Sequence, residues 1–162
     1  ELANNIGNLV QRTLSMIFKN NNAEIVDFSD YEDGKSLLKD AYELQNNFNN
    51  YMENLAFDRA IFEILTHSSK CNEFINSKQP WNLKKEGKID EMNLVLSVLA
   101  ENIRIIAILL QPFCINLAPK ILDLLNVENR DFAFANAENS LQVKHKINEP
   151  KALFPRLQIK EI

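Results

Sequence analysis

Residues 88–110 read KIDEMNLVLSVLAENIRIIAILL. At about 100° per residue, Ile89, Met92, Val95, Leu96, Leu99, Ile103, Ile106 and Leu110 fall on one stripe. Leu94, Val98, Ile105 and Leu109 widen that stripe beyond a single face. A helix apolar over most of its circumference is surrounded by other elements, which places this one at the centre of a bundle. It does not read as a membrane span, because the uninterrupted apolar run Ile105–Leu110 is short and follows Glu101 and Arg104. Pro112 ends it, having no N–H to donate to the preceding turn.

Further helices are expected around this centre. Leu117 to Leu125 carries Ile121, Leu122, Leu124 and Leu125. A long helix from about Asn50 to Asn76 draws apolar faces from Tyr51, Leu55, Ala56, Ala60, Phe62, Ile64, Leu65, Phe74 and Ile75. Another starts near Ser36, with Leu37, Leu38, Ala41, Leu44 and Phe48 at helical spacing. Between it and the first helix, Asn20–Asn22, Ser29-Asp30 and Asp33-Gly34 make a polar connector. The first helix is LANNIGNLVQRTLSMIFK, Leu2 to Lys19. Leu2, Ile6, Leu9, Val10, Thr13 and Ile17 form its apolar stripe, and Asn4, Asn8, Arg12, Ser15 and Lys19 lie opposite. The expected fold is all-α, a bundle of about five helices over 1–125. A C-terminal extension over 126–162 ends in an extended strap, EPKALFPRLQIKEI, packed on the bundle or on a neighbouring domain.

Composition agrees with that architecture. The 162 residues are 46% apolar with ten Phe, enough for one domain with a real core and too apolar for disorder. Three Gly suit helices better than a turn-rich β protein. A net charge of −4 offers no broad basic field, so any nucleic-acid contact has to be local. The two cysteines, Cys71 and Cys114, belong to no cysteine motif, and no secretory segment is evident, which suits a reduced, cytoplasmic setting without a membrane. Glu1 is not an initiator Met and no capping residue precedes the first helix, so a fragment of a longer protein is expected.

Asn8 and Arg12 sit four apart and project from one helix face. An amide beside a guanidinium fork can hydrogen-bond the edges of unstacked bases, although spacing alone equally describes a solvated surface. A second stretch, NEFINSKQPWNLKK from Asn72 to Lys85, contains the single tryptophan. Pro80 ends the preceding helix and biases Gln79 towards an extended conformation, leaving Trp81 on a loop or at the start of the next element. With Lys84, Lys85 and Lys88 nearby, Trp81 could stack on a base, or equally plug the core. Glu63, His67 and Cys71 at four-residue steps hint at a metal, but a structural zinc needs four ligands and neither Cys114 nor His145 completes a pattern. No metal is assigned, and a partly exposed His67 beside a Glu is expected.

LANNIGNLVQR (2–12), NEFINSKQPWNLKK (72–85), LVLSVLAENIRIIAILLQPF (94–113) and ALFPRL (152–157), in that order, resemble the C-terminal α-helical anticodon-binding domain of methionyl-tRNA synthetases. The resemblance implies that Asn8, Arg12 and Trp81 bind the CAU anticodon loop of tRNA(Met), with Trp81 stacked on its first base. It also implies a parent enzyme that uses ATP and Mg to activate methionine in a separate N-terminal catalytic domain. The catalytic His-Ile-Gly-His and Lys-Met-Ser-Lys-Ser signatures and the zinc-knuckle cysteines do not occur here, so this chain should have neither catalytic residues nor cofactor of its own. Ile115 stands where the family often has Pro, and 126–148 has no clear counterpart. Without an appended oligonucleotide-binding domain, a monomeric parent is expected. The competing readings are the anticodon-binding bundle of another class I synthetase, such as a cysteinyl or valyl enzyme, and a helical protein-interaction module without RNA.

Overall fold

A computed structural model describes residues 2–150, with side chains from Asn4 onward. It contains α1 (Leu2–Asn20), α2 (Glu32–Glu53), α3 (Phe57–Lys78), α4 (Pro80–Lys85), α5 (Ile89–Leu110) and α6 (Leu117–Leu124), then 3₁₀ turns at Phe132–Phe134 and Ala137–Asn139. The all-α bundle stands, with α4 as a sixth, one-and-a-half-turn helix beside the five longer ones. The strap expected over 149–162 lies, beyond Pro150, outside the described residues.

The central position of α5 follows from its sequence. From Met92 to Leu110 every residue except Leu94 is buried, and α1, α2, α3, α4 and α6 all pack on it. The directions are fixed by contacts at known heights. Asn93 near the start of α5 donates to Asn21 beyond the end of α1, so these helices are antiparallel. His67 of α3 meets Asn102, and Phe57 at the α3 start meets Phe113 beyond the α5 end, so α3 is antiparallel as well. Helix α2 runs with α5, from Gly34 against Val98 to Phe48 against Phe113. A Cβ on Gly34 would lie 2.7 Å from Val98 Cγ2, so the missing side chain permits that close approach.

Several boundaries differ from the sequence expectation. Helix α2 begins at Glu32, so Asp33-Gly34 forms its first turn instead of a connector. The long third helix is split: α2 runs on to Glu53, Leu55 turns left-handed at φ 55°, and α3 starts at Phe57. Leu55 N donates to Met52 O and Ala56 N to Tyr51 O, the paired bonds that close a helix at a left-handed residue. Leu55 and Phe62 are exposed instead of lining the core. Gln79 is left-handed (φ 48°, ψ 64°), not extended. The pyrrolidine of Pro80 excludes the right-handed conformation at Gln79, and reversing from α3 into α4 in one residue requires the left-handed one. His67 is buried, not partly exposed: its Nε2 lies 2.7 Å from Asn102 Oδ1, and Asn102 Nδ2 donates to Val98 O. Burial lowers the His67 pKa below its ordinary value, partly opposed by the Asn102 bond.

The polar residues of α5 tie down the segment beyond the bundle. Glu101 and Arg104 are both buried and form a two-pronged pair, Nη2 to Oε1 at 2.6 Å and Nε to Oε2 at 2.9 Å. Tyr42 OH and Leu141 N also donate to the Glu101 carboxylate. Arg104 donates onward to Phe134 O and Asn136 O. A second set of backbone bonds joins 23–25 to 144–147: Ile25 N to His145 O, Lys144 N to Ile25 O and Ile147 N to Ala23 O. Residues 126–148 are thereby bonded to both the centre and the α1–α2 connector.

Both buried polar sites can be tested by substitution. Glu101→Gln leaves the buried guanidinium without its counter-charge and should cost about 3–5 kcal/mol in urea unfolding. It should also speed amide exchange over 132–141, and a loss below about 1 kcal/mol would show that the pair does not hold that segment. His67 is disfavoured as a cation in the folded chain relative to the unfolded one. Its contribution is therefore complete above the ordinary histidine range near 6.5 and is lost as pH falls through the lower folded value. Unfolding free energy should decline from pH 7 towards pH 5, and His67→Gln should flatten that slope.

Candidate nucleic-acid interface

Helices α1 and α3 run side by side in the same direction, joined by hydrogen bonds among asparagine amides, serine hydroxyls and Arg12. On α1, Asn5, Asn8 and Arg12 follow at near-helical repeats; on α3, Ser68, Asn72 and Asn76 do the same. Asn5 Oδ1 accepts from Ser68 Oγ at 2.7 Å and Asn72 Nδ2 at 2.8 Å, and Asn5 Nδ2 donates to Ser69 Oγ at 2.9 Å. Asn72 Nδ2 also reaches Ser68 O and Asn5 O. Asn72 therefore has a fixed orientation, with its Oδ1 turned to α1.

That oxygen accepts from Arg12 Nη2 at 3.0 Å, and Asn76 Oδ1 accepts from Arg12 Nη1 at 3.0 Å. Two amide oxygens one helical turn apart thus hold the guanidinium plane. Both acceptors are neutral, and among the described residues no carboxylate pairs with Arg12, so its positive charge is oriented without being cancelled. Its Nε is buried without a partner. Asn4, Asn5, Asn8, Arg12, Asn72 and Asn76 line an open groove, in which Asn8 is exposed and Arg12 half-buried. Each free amide edge there offers a donor beside an acceptor, the same pattern that a base presents on its edges.

Trp81 occupies the second position of α4. Pro80 at the first position is buried, which fixes the start of this short helix where a missing N–H does no harm. The indole is half-buried, with part of its surface against the core. Asn8 and Arg12 share the groove, whereas Trp81 is not among the residues lining it. It stands five residues beyond Asn76, past the end of α3 towards which the Asn5–Asn8–Arg12 series climbs. The α3 terminus is anchored by the Lys78–Asp33 ion pair to the first turn of α2, and Lys78 also lies over the Phe74 ring. Glu86 closes α4 with Gly87 at φ 75°, where Gly87 N bonds Lys84 O and Lys88 N bonds Leu83 O. Lys84 and Lys85 are exposed on the last turn, while Lys88 pairs with Glu86 at 3.2 Å.

Sequence reasoning does not single out Asn72 and Asn76. Their spacing of four, matching that of Asn8 and Arg12, is the available signal, but it gains meaning only once α1 and α3 are known to be neighbours. Among the described residues no group of three His, Cys, Asp or Glu side chains could hold a metal ion.

A family model described as the anticodon binding domain of methionyl tRNA ligase matches residues 28–162. The methionine–tRNA ligase of Rickettsia felis is 37% identical over 167 residues, covering 98% of this chain and 32% of that protein. That of Lactococcus lactis subsp. lactis is 35% identical over 164 residues, covering 99% and 25%. The free-state crystal structure of Mycobacterium tuberculosis methionyl-tRNA synthetase superposes with a TM-score of 0.89 at 32% identity, over 97% of this chain and 32% of that one. The same enzyme bound by methionyl-adenylate gives 0.88 at 32% identity, over 95% and 31%. The chain therefore spans about a third or less of the length of these relatives. The family model starts beyond α1, whereas the whole-chain likenesses extend over nearly all of the sequence.

Proposed function

The chain belongs to the family of anticodon-binding domains of methionyl-tRNA ligase, and from that membership we propose that it reads the CAU anticodon loop of tRNA(Met). The observation that carries the site assignment is the Arg12 guanidinium, fixed by Asn72 and Asn76 and left uncancelled beside the exposed Asn8. In this reading Asn8 and Arg12 hydrogen-bond base edges in the α1–α3 groove. Trp81, at the far end of α3, stacks on the first base of the triplet. Lys84 and Lys85 add attraction for phosphates.

The chemistry lies elsewhere in the parent enzyme. A catalytic part preceding this chain would activate methionine with ATP and Mg and transfer it to the tRNA 3′ end, in a monomeric cytoplasmic ligase. Residues 1–125 form the reading bundle, and 126–162 an extension of it. Anticodon binding contributes by positioning the distant acceptor end, so binding energy gained here appears as faster transfer and leaves methionine activation untouched. Discrimination comes from amides whose donors and acceptors pair fully with the right base and are left unpaired by a wrong one.

Trp81 emission should fall on titration with a CAU anticodon stem-loop and respond less to a loop with its first base changed. An equal response to both would reduce the site to non-specific RNA contact, and no response from folded protein would favour the protein-interaction reading. Trp81→Ala in the full-length enzyme should lower kcat/KM for tRNA by roughly 5- to 150-fold, the equivalent of about 1–3 kcal/mol of stacking, with ATP–pyrophosphate exchange preserved. Arg12→Lys should also lose tenfold or more in kcat/KM for tRNA, because an ammonium cannot span two amide oxygens and still present a flat donor edge. Full activity in Arg12→Lys would remove the guanidinium from the reading site.

A further inference from the structure

The two places assigned to bases do not share a groove. Asn8 and Arg12 line the α1–α3 groove, and Trp81 lies outside it, on α4. A strand that puts a base on each has to carry its ribose-phosphate backbone across the interval, and each nucleotide of that backbone brings a negative charge. What occupies the interval follows from the register of α1 on α3. Asn5 bonds Ser69 and Arg12 bonds Asn76, each pair 64 positions apart. On the same register Ser15 comes level with Gln79, where α3 has ended and the chain reverses into α4. The end of α1, from Ser15 to Asn20, therefore overhangs the end of α3.

Lys19 is the cation on that overhang. At about 100° per residue it falls within about 40° of Asn8 and Arg12 around α1, and it stands roughly 10 Å beyond Arg12 along the axis. It is exposed, and among the described residues no carboxylate lies within ion-pair distance of it. Ion pairing is uneven over this surface. Both lysines of α2 are paired, Lys35 with Glu32 and Lys39 with Glu43, and Lys70 and Lys78 of α3 pair with Asp40 and Asp33. The cations of α1 and α4, which are Arg12, Lys19, Lys84 and Lys85, have no such partner among the described residues. Glu24 and Glu86, the first carboxylates to follow α1 and α4 in the chain, are turned to Lys146 and Lys88.

We propose that Lys19 holds the phosphate backbone of the anticodon loop where it passes from the Asn8–Arg12 groove to Trp81. This inference rests on the anticodon reading and adds to it a residue that positions the strand. A lysine suits the task. Its compact charge on a flexible stem meets phosphate oxygens from several directions and reads no base, whereas the Arg12 fork is planar and fixed. Lys19 also lies in the last turn of α1, where a cation stabilises the helix C-terminus. That second role acts on folding stability and leaves RNA binding alone, so the two are separable.

The test titrates full-length enzyme with a CAU anticodon stem-loop, and with a loop changed at its first base, over a range of salt concentrations. Because Lys19 is exposed and unpaired, its substitution leaves the core intact. Lys19→Gln should weaken binding of both loops by the same factor, roughly two- to fivefold. It should also reduce the slope of log K against log salt by about 0.7, the value for one phosphate on a single strand. Lys19→Arg, which keeps the charge, should restore both. Affinity and slope unchanged in Lys19→Gln would overturn the proposal, and a lowered Tm in that variant would then assign Lys19 to the helix end alone. A loss confined to the CAU loop would overturn it as well, by making Lys19 a base reader, and so would failure of Lys19→Arg to restore binding. Equal binding of the two loops by the parent would refute the anticodon reading, while the slope difference still reports whether Lys19 meets a phosphate. A parent that binds neither loop would refute both.

Discussion

The Glu101–Arg104 pair inside α5 is the constraint on which the remaining structure depends. Apart from Asn93, Ser97 and Asn102, the other buried residues of that helix are apolar, and an apolar helix face can be surrounded in many ways with similar burial. Two opposite charges at i and i+3, shut away from water, remove that freedom. Their desolvation is tolerable only if every lone pair and N–H finds a partner in place. Tyr42 from α2, the Leu141 amide and the carbonyls of Phe134 and Asn136 supply those partners. A hydrophobic pair would pack as well without specifying the path of 126–148. The charged pair specifies it, because Arg104 donates to Phe134 O and Asn136 O while Glu101 accepts from Leu141 N.

The same logic operates at lower stakes in the α1–α3 groove. Asn5, Ser68 and Asn72 settle one another's amide orientation, and Asn72 with Asn76 then settles Arg12. A free surface arginine samples many rotamers and loses that freedom on binding. Here the loss has largely been incurred during folding, so a ligand meets a guanidinium already in position. The proposed reading residues differ in this respect: Arg12 is held, Trp81 is half-packed, and Asn8 is exposed without a side-chain bond among the described residues.

Periodicity makes the helices legible because burial is repeated along many residues and single errors average out. It identifies the α5 stripe and the α1 face, and motif order identifies the family. It misplaces elements where one residue decides. A left-handed Leu55 carries no sequence signal, since leucine is a poor choice for that conformation, and the split between α2 and α3 is therefore invisible. Gln79 departs from the extended conformation because the rule for residues before proline describes isolated chains, whereas a helix reversal imposes its own dihedral angles. His67 reads as a surface residue because its chain neighbours are polar, but its packing is set by Asn102, thirty-five residues away. In the sequence Glu101 and Arg104 serve only to argue against a membrane span. Their actual partners lie on α2 and in 132–141, which no local pattern connects to them.

Charge ties these features together. With a net charge of −4, the molecule as a whole repels a polyanion, and screening confines any attraction to about 8–10 Å at physiological ionic strength. Non-specific adhesion to RNA is therefore weak, and binding must come from the few cations that remain uncancelled. Arg12 is kept in that state by its neutral acceptors. A carboxylate in place of Asn76 would position the guanidinium equally well but neutralise it and repel the loop. An amide positions without neutralising. On the proposed reading, asparagine at both 72 and 76 favours a site whose selectivity comes from hydrogen-bond pattern and whose attraction is local.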